Sequence, residues 1–254
     1  HDKMKRSITC LLIMLSFVSQ INLNAQESGK VTYETIVQYN FKTAPGKVEW
    51  NAFIADLPKT GTSIHSISFN DQNALFTEDV NYKESAGPKL SRAMGVLNRG
   101  KGPQAESLSV YYDFDKNRKY EQVEFMTRLF VVESEMEAVA WKITGKMKKV
   151  MDYVCMGAEL KEGEDTITAW FSSEIPVSAG PGIYRGLPGL ILGIEKNGEV
   201  ASLASKVDFK DMDNSTFKKP KDGKKVSQKE FDQIVKEKKE EFKKAGKANS
   251  DRKG

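Results

Sequence analysis

The residues able to do nucleophilic or acid–base chemistry are few. The chain has two histidines and two cysteines, and His1 and Cys10 fall in an N-terminal stretch that reads as an export signal. That leaves His65 and Cys155. A cysteine beside a histidine can act as nucleophile and base if folding brings them together, but nothing in the spacing of these two argues for proximity. His65 shares strand parity with Ile67 and Phe69, which favours a strand histidine satisfied by a neighbour over a catalytic base. Zinc would require a second histidine or a Cys-x-x-Cys pair, and the remaining chain has neither.

Met147, Met151, Cys155 and Met156 are soft ligands of the kind Cu(I) prefers. Strand alternation, however, places Met156 opposite the other three, so core filling is the simpler reading. Asp113 and Asp115 border a stretch of turn chemistry, where carboxylates stabilise the turn without catalysis. No G-x-S-x-G elbow, phosphate loop or nucleotide fingerprint occurs. The sequence therefore predicts no catalytic set, no metal and no cofactor. A lone thiol is either buried and inert or reactive, and burial is the favoured state because free cysteine is among the most buried residue types.

One segment is unusual in composition. Pro176, Gly180, Pro181, Gly182, Gly186, Pro188 and Gly189 crowd into a single stretch. Glycine permits positive φ and close backbone approach, and proline fixes φ and removes a donor, so this loop is shaped. The favoured reading is a fixed turn that tucks Leu187 and Leu190 into the core. The functional alternative has Tyr184, Arg185 and Leu187 lining the mouth of a concavity, an aromatic, a cation and an apolar group able to hold a ligand.

Strands must position that loop. From residue 30 to residue 210 apolar positions alternate with polar ones between turn signals. Val31 and Tyr33 open the pattern, followed by a Pro45-Gly46 turn, a strand with Ile67 and Phe69, a break at 71–73 and an extended stretch over 74–80. Residues 82–102, rich in glycine, read as a long connection. Leu108, Val110 and Tyr112 alternate ahead of a turn at 115–117 and a single long strand over 120–132. A short strand at 140–143, a turn at Gly145-Lys146, a strand over 149–160 and another over 166–171 come next. Asn197-Gly198 is the sharpest local signal, because both central positions of a type I′ turn need positive φ. Consecutive hairpins of this kind predict a mainly β fold: a single curved antiparallel sheet or half-barrel.

The ends differ from the middle. Lys3, Lys5 and Arg6, an apolar run over 8–18 and a polar stretch ending at Ala25 have the three parts of a signal peptide. The run is shorter than the roughly 20 apolar residues a spanning helix needs, and Cys10 lies too early in it for lipidation. The signal takes with it three cations, Lys3, Lys5 and Arg6, and one anion, Asp2, so a formal +4 becomes about +2, which makes no case for nucleic acid. After Asp211 the chain turns lysine-rich. Ser227-Gln228-Lys229-Glu230 is a capping box, Phe231, Ile234, Val235 and Phe242 repeat at helical spacing, and Gly246 follows as a stop. The expected organisation is a signal peptide at 1–25, a β domain at 26–212 and a Lys-rich tail at 213–254 with an amphipathic helix near 228–245. Its apolar stripe is thin, so it either packs lightly on the sheet as a solvated amphipathic helix, the favoured reading, or offers its lysines to anionic lipid headgroups or glycans, and membrane contact is at most peripheral.

Gly186-Leu187-Pro188-Gly189-Leu190-Ile191, with Ala169-Trp170-Phe171, Glu174-Ile175-Pro176 and Gly180-Pro181 before it, resembles the signature of the GLPGLI family of exported bacterial envelope proteins. The resemblance extends to Trp141-Lys142-Ile143, Tyr153-Val154-Cys155 with Ala158, Lys218-Lys219-Pro220, and the opening Gly29-Lys30-Val31-Thr32-Tyr33. Asp152 and Gly157 depart from the family pattern of glycine and lysine. The β-rich pattern is also similar, at fold level only, to the half-barrel of outer-membrane lipoprotein carriers. The family brings kinship and export with no established chemistry. The expectation is a non-enzymatic binding or interaction protein, periplasmic or outer-membrane-associated, that meets a small apolar or amphipathic ligand or an envelope protein. Its candidate ligand contacts are Tyr153, Cys155, Trp170, Pro181, Tyr184, Arg185, Gly186, Leu187, Pro188 and Gly189. The alternatives are a Cys155-dependent enzyme or redox protein and a partner of an outer-membrane transporter.

Overall fold

Alternating apolar residues build one sheet of twelve strands in a computed structural model that describes residues 28–251, apart from residue 40 and the stretches 79–87 and 99–101. The expected signal peptide lies outside the described residues. In chain order the elements are β1 (Gly29–Gln38), α1 (Val48–Ala55), β2 (Thr60–Phe69), β3 (Asn73–Glu78), α2 (Pro88–Asn98), β4 (Ala105–Asp113), β5 (Arg118–Phe125), β6 (Arg128–Glu135), β7 (Lys142–Val150), β8 (Tyr153–Glu162), β9 (Asp165–Ser172), β10 (Leu190–Lys196), β11 (Glu199–Phe209), β12 (Lys224–Ser227) and α3 (Gln228–Asp251). The strands lie in the order β12-β6-β5-β4-β3-β2-β1-β11-β10-β9-β8-β7. Two meanders, β1 to β6 and β7 to β11, are joined where β1 pairs with β11. The sheet is curved and open, as the alternation predicts. It is mixed rather than wholly antiparallel, because β12 runs parallel to β6.

Register explains the core. Val207, Val31, Ile67, Phe76 and Val110 stand abreast on five adjacent strands, and Val31, Ile67 and Val110 are fully buried. Each such side chain contributes about 1.5–3 kcal/mol by leaving water. The fully buried Tyr33 occupies the next row. Its hydroxyl donates to the Ile191 carbonyl at 2.8 Å, which satisfies the phenol in a site where burial raises its pKa far above the ordinary value. The 3-10 turn Asn214–Thr216 belongs to a segment that crosses the opposite face, where Met212 and Phe217 pack with Tyr111 and Tyr120. Asn214 Oδ1 accepts there from Asn70 Nδ2 at 2.9 Å and Asn73 Nδ2 at 3.1 Å.

Helix α3 begins where the capping box predicts. The Ser227 N–H donates to Glu230 Oε2 at 2.7 Å and the Glu230 N–H to Ser227 Oγ at 3.3 Å. Phe231 meets the Phe125 and Phe130 rings edge-on, closing a cluster with Val123, Val132 and Val226. The first turns of α3 are thus docked on the sheet through the thin apolar stripe, and the helix continues past Gly246, where the sequence suggested a stop. Strand β12 lies inside the stretch read as a Lys-rich tail.

Other local differences have physical causes. Residues 120–132 form a hairpin whose turn, Met126-Thr127, takes positive φ without glycine. Gly145 makes a bulge inside β7, and the hairpin turn falls at Met151-Asp152. Met147 therefore stands directly opposite Met156, on the same face, while Cys155 pairs with Lys148. Helix α2 occupies part of the expected long connection, burying Leu90 and Ala93. Helix α1 buries Ile54, which packs with Leu57 and Ala93.

Candidate functional site

The Gly/Pro loop between β9 and β10 is held at many points. Ile175, Val177 and Ala179 point inward, with Pro176 and Ser178 outside. The Leu190 N–H donates to the Ile175 carbonyl and the Ile191 N–H to the Ala179 carbonyl, both at 2.9 Å. The loop thus runs beside the start of β10 and satisfies donors that β11 does not reach. Tyr112 donates its hydroxyl hydrogen to the Gly182 carbonyl at 3.1 Å, Trp141 Nε1–H to the Arg185 carbonyl at 2.7 Å, and the Gly186 N–H donates to Ser178 Oγ at 3.1 Å. Gly189 has φ 147°, and a Cβ there would lie 2.2 Å from the Ser172 carbonyl oxygen. Only glycine fits.

Between this loop and the sheet lies a cavity of about 450 Å³, within the range of small-ligand pockets. Its walls are Thr35, His65, Phe76, Ser107 and Glu121 from β1 to β5, Ile194, Lys196, Ala201 and Ser202 from β10 and β11, and Pro181 to Tyr184 from the loop. Carbon atoms, including those of the polar side chains, make up most of the lining surface. The His65 ring stacks on Phe76 with centroids 5.2 Å apart. Its Nδ1 is sealed from solvent with no hydrogen-bond partner. Burial lowers the imidazole pKa, opposed by the Glu78 carboxylate on the neighbouring strand, so the ring is held neutral. Thr35 Oγ1 and Ser202 Oγ share a hydrogen bond at 3.2 Å.

The charged groups at the walls are already paired. Glu121 meets Lys119 Nζ at 2.9 Å, with both side chains largely buried, and Lys196 Nζ meets Asp165 at 2.6 Å. Tyr184 donates its hydroxyl hydrogen to Glu162 at 3.4 Å, and its phenol is pushed up to about 12, chiefly by burial.

Of the residues singled out from sequence, Pro181 and Tyr184 line this cavity. Arg185 lines a second recess with Arg118, Glu133 and Glu137, and its guanidinium donates to the Glu137 carbonyl. Leu187 is buried with Phe171 and Ile191, as the fixed-turn reading expects. Gly189 is buried, and Gly186 and Pro188 face solvent. Trp170 and Cys155 belong to the core cluster against which Tyr153 packs. The Lys148 ammonium sits 4.5 Å from a Trp170 ring centroid, and Trp170 Nε1 is buried without a partner. Burial pushes the Cys155 thiol up to about 11. His65 belongs to the cavity, and its Nδ1 lacks the satisfying neighbour that strand parity suggested. Phe76, Ser107, Glu121, Ile194, Lys196, Ala201 and Ser202 were not legible as site residues, because strand register alone assembles them. No cluster of three or more His, Cys, Asp or Glu suited to a metal occurs among the described residues. No helix among them is long and apolar enough to cross a membrane.

The fold and cavity define a mainly β protein built on one open, curved sheet with a recess under a shaped loop. A family model described as "Protein of unknown function (Porph_ging)" matches residues 159–193, which run from within β8 through the Gly/Pro loop into β10. No curated protein matches the chain. The chain is similar to two solved structures described as PNGF-II in the C2 and P21 space groups. The TM-scores are 0.53 and 0.52, each at 14% identity over 82% of this chain. It spans 32% and 33% of those chains, about a third of their length, and the likeness is one of fold.

Proposed function

We propose that this chain is a non-enzymatic binding protein of the bacterial envelope, related to the GLPGLI family, exported to the periplasm or the outer membrane, and that its cavity takes a small apolar or amphipathic molecule. The observation that carries the reading is the recess of about 450 Å³, walled by Phe76, Pro181, Ile183 and Ile194 and roofed by a loop fixed through the Tyr112, Trp141 and Ser178 hydrogen bonds. A pre-formed, mostly apolar recess with a few placed polar groups is what a small-molecule site requires. The Cys155 thiol is buried and disfavours its thiolate, which counts against thiol chemistry. The N-terminal segment and the motif around Gly186 support export and kinship.

Native mass spectrometry of the mature protein, gently extracted from its own envelope, tests this. The expected spectrum carries a reproducible small-molecule mass that is lost in Ile194→Arg, which places a charge on the cavity wall. A clean unliganded mass, together with no displacement of a fluorescent apolar probe, would overturn it.

A further inference from the structure

The polar atoms that the cavity leaves unpaired define its ligand more narrowly than its apolar walls do. His65 makes no hydrogen bond among the described residues, and its Nδ1 is sealed from solvent. Nε2 is not sealed, and the ring lines the cavity, so Nε2 is the nitrogen a ligand can reach. A bare buried acceptor is tolerated better than a bare buried N–H. The neutral ring therefore keeps its hydrogen on Nε2 and presents a donor. Thr35 and Ser202 contribute one more: two hydroxyls sharing a single hydrogen bond have one hydrogen to spare. Glu121 and Lys196 are engaged by Lys119 and Asp165, so neither offers a free charge.

We propose that the cavity selects an apolar molecule carrying one uncharged acceptor, a hydroxyl or carbonyl oxygen, received by His65 Nε2–H and the Thr35–Ser202 hydroxyl pair. This rests on the cavity being a ligand site, as argued above. Among the lining residues a carboxylate head meets no free cation and an ammonium head no free anion, so either would have to break an existing pair to enter. The Glu78 carboxylate opposite His65 is exposed and outside the walls, where water screens it. A charged amphiphile can still lodge its tail with its head in solvent, but it then makes no use of His65.

Calorimetric titration of the purified protein at pH 8 with three decyl probes separates these cases: 1-decanol, decanoate and decyltrimethylammonium, each below its aggregation concentration. Decanol is expected to bind at least tenfold more tightly than either ion. The change His65→Phe, which keeps the ring stacked on Phe76, is expected to weaken decanol about tenfold, the value of roughly one hydrogen bond, and to leave the ions unchanged. The double change Thr35→Val and Ser202→Ala, which removes both hydroxyls and with them the spare hydrogen, is expected to weaken decanol as well. Ions binding as tightly as decanol, or decanol indifferent to both variants, would overturn the selectivity and leave the cavity a ligand site. If none of the probes binds, the ligand-site reading itself falls, and the selectivity with it.

Discussion

An imidazole nitrogen buried without a partner costs free energy, about 1–3 kcal/mol for an unsatisfied polar group. Phenylalanine at position 65 keeps the stack on Phe76 and removes the orphaned Nδ1. His65→Phe is therefore expected to raise stability by about 1 kcal/mol, read as a higher urea midpoint, while weakening ligand affinity. A lower midpoint would show that His65 is structural. The same residue sets a pH dependence. Below about pH 6.5 the unfolded chain protonates its imidazole, whereas the folded state resists because burial lowers that pKa. Unfolding then takes up a proton, so stability falls as pH drops through 6.5 towards the lower folded value and is constant above it. Urea midpoints between pH 8 and 5 should show this slope in the native protein and lose it in His65→Phe. Cys155 tests the opposite chemistry. In a Cys10→Ser background, its buried thiol, with a pKa of about 11, is expected to react with a thiol reagent only after denaturation. Rapid labelling of the folded protein would restore the case for a reactive cysteine.

Among the elements, the Gly/Pro loop is the one whose character was legible before its position. Its composition announced a shaped backbone, and Leu187 and Leu190 are buried as that shape requires. Glycines there do different work, which substitution separates. Gly182 has φ 64° and open space around its would-be Cβ, so Gly182→Ala should cost about 1 kcal/mol for the left-handed backbone alone. Gly189→Ala adds a collision with the Ser172 carbonyl and should cost about 3 kcal/mol or more. Equal urea midpoints for the two variants would mean that the loop yields at its junction with β9. Strand reading succeeded where alternation met a glycine-bearing turn, as at Asn197-Gly198. It failed at residues 120–132, where Met126 and Thr127 adopt positive φ without any sequence signal, and at Gly145, whose φ of 71° serves a bulge instead of a turn. The strand side of the cavity was illegible for a related reason. Thr35 and Ser202 face each other only because β1 pairs with β11 past a bulge between Thr32 and Tyr33, and no local pattern encodes that register.

At the scale of the whole molecule, the sheet is open, and its two edges are treated differently. At β7, Lys142, Lys146, Lys148 and Lys149 line the free edge, and charge there discourages pairing with another chain. At the other end, β12 covers β6, and α3 folds back over the cluster of Val123, Phe125, Phe130 and Val132. The lysine-rich stretch is thus no appendage to the sheet but its terminal strand and cover. Phe231→Ala should cost about 3 kcal/mol, as Phe-to-Ala changes in cores do, while leaving decanol affinity intact, since no cavity wall residue lies beyond Ser202. Deleting residues 218–254 should do more, baring the β6 edge and an apolar cluster together. Its product is expected to bind a hydrophobic dye and to self-associate on size-exclusion chromatography. If the truncated protein stays monomeric with the urea midpoint of the intact chain, α3 is a passenger and the sheet is stable without its cover. If it self-associates while Phe231→Ala stays monomeric at a lower midpoint, β12 guards the edge and the Phe231 contacts add stability to it.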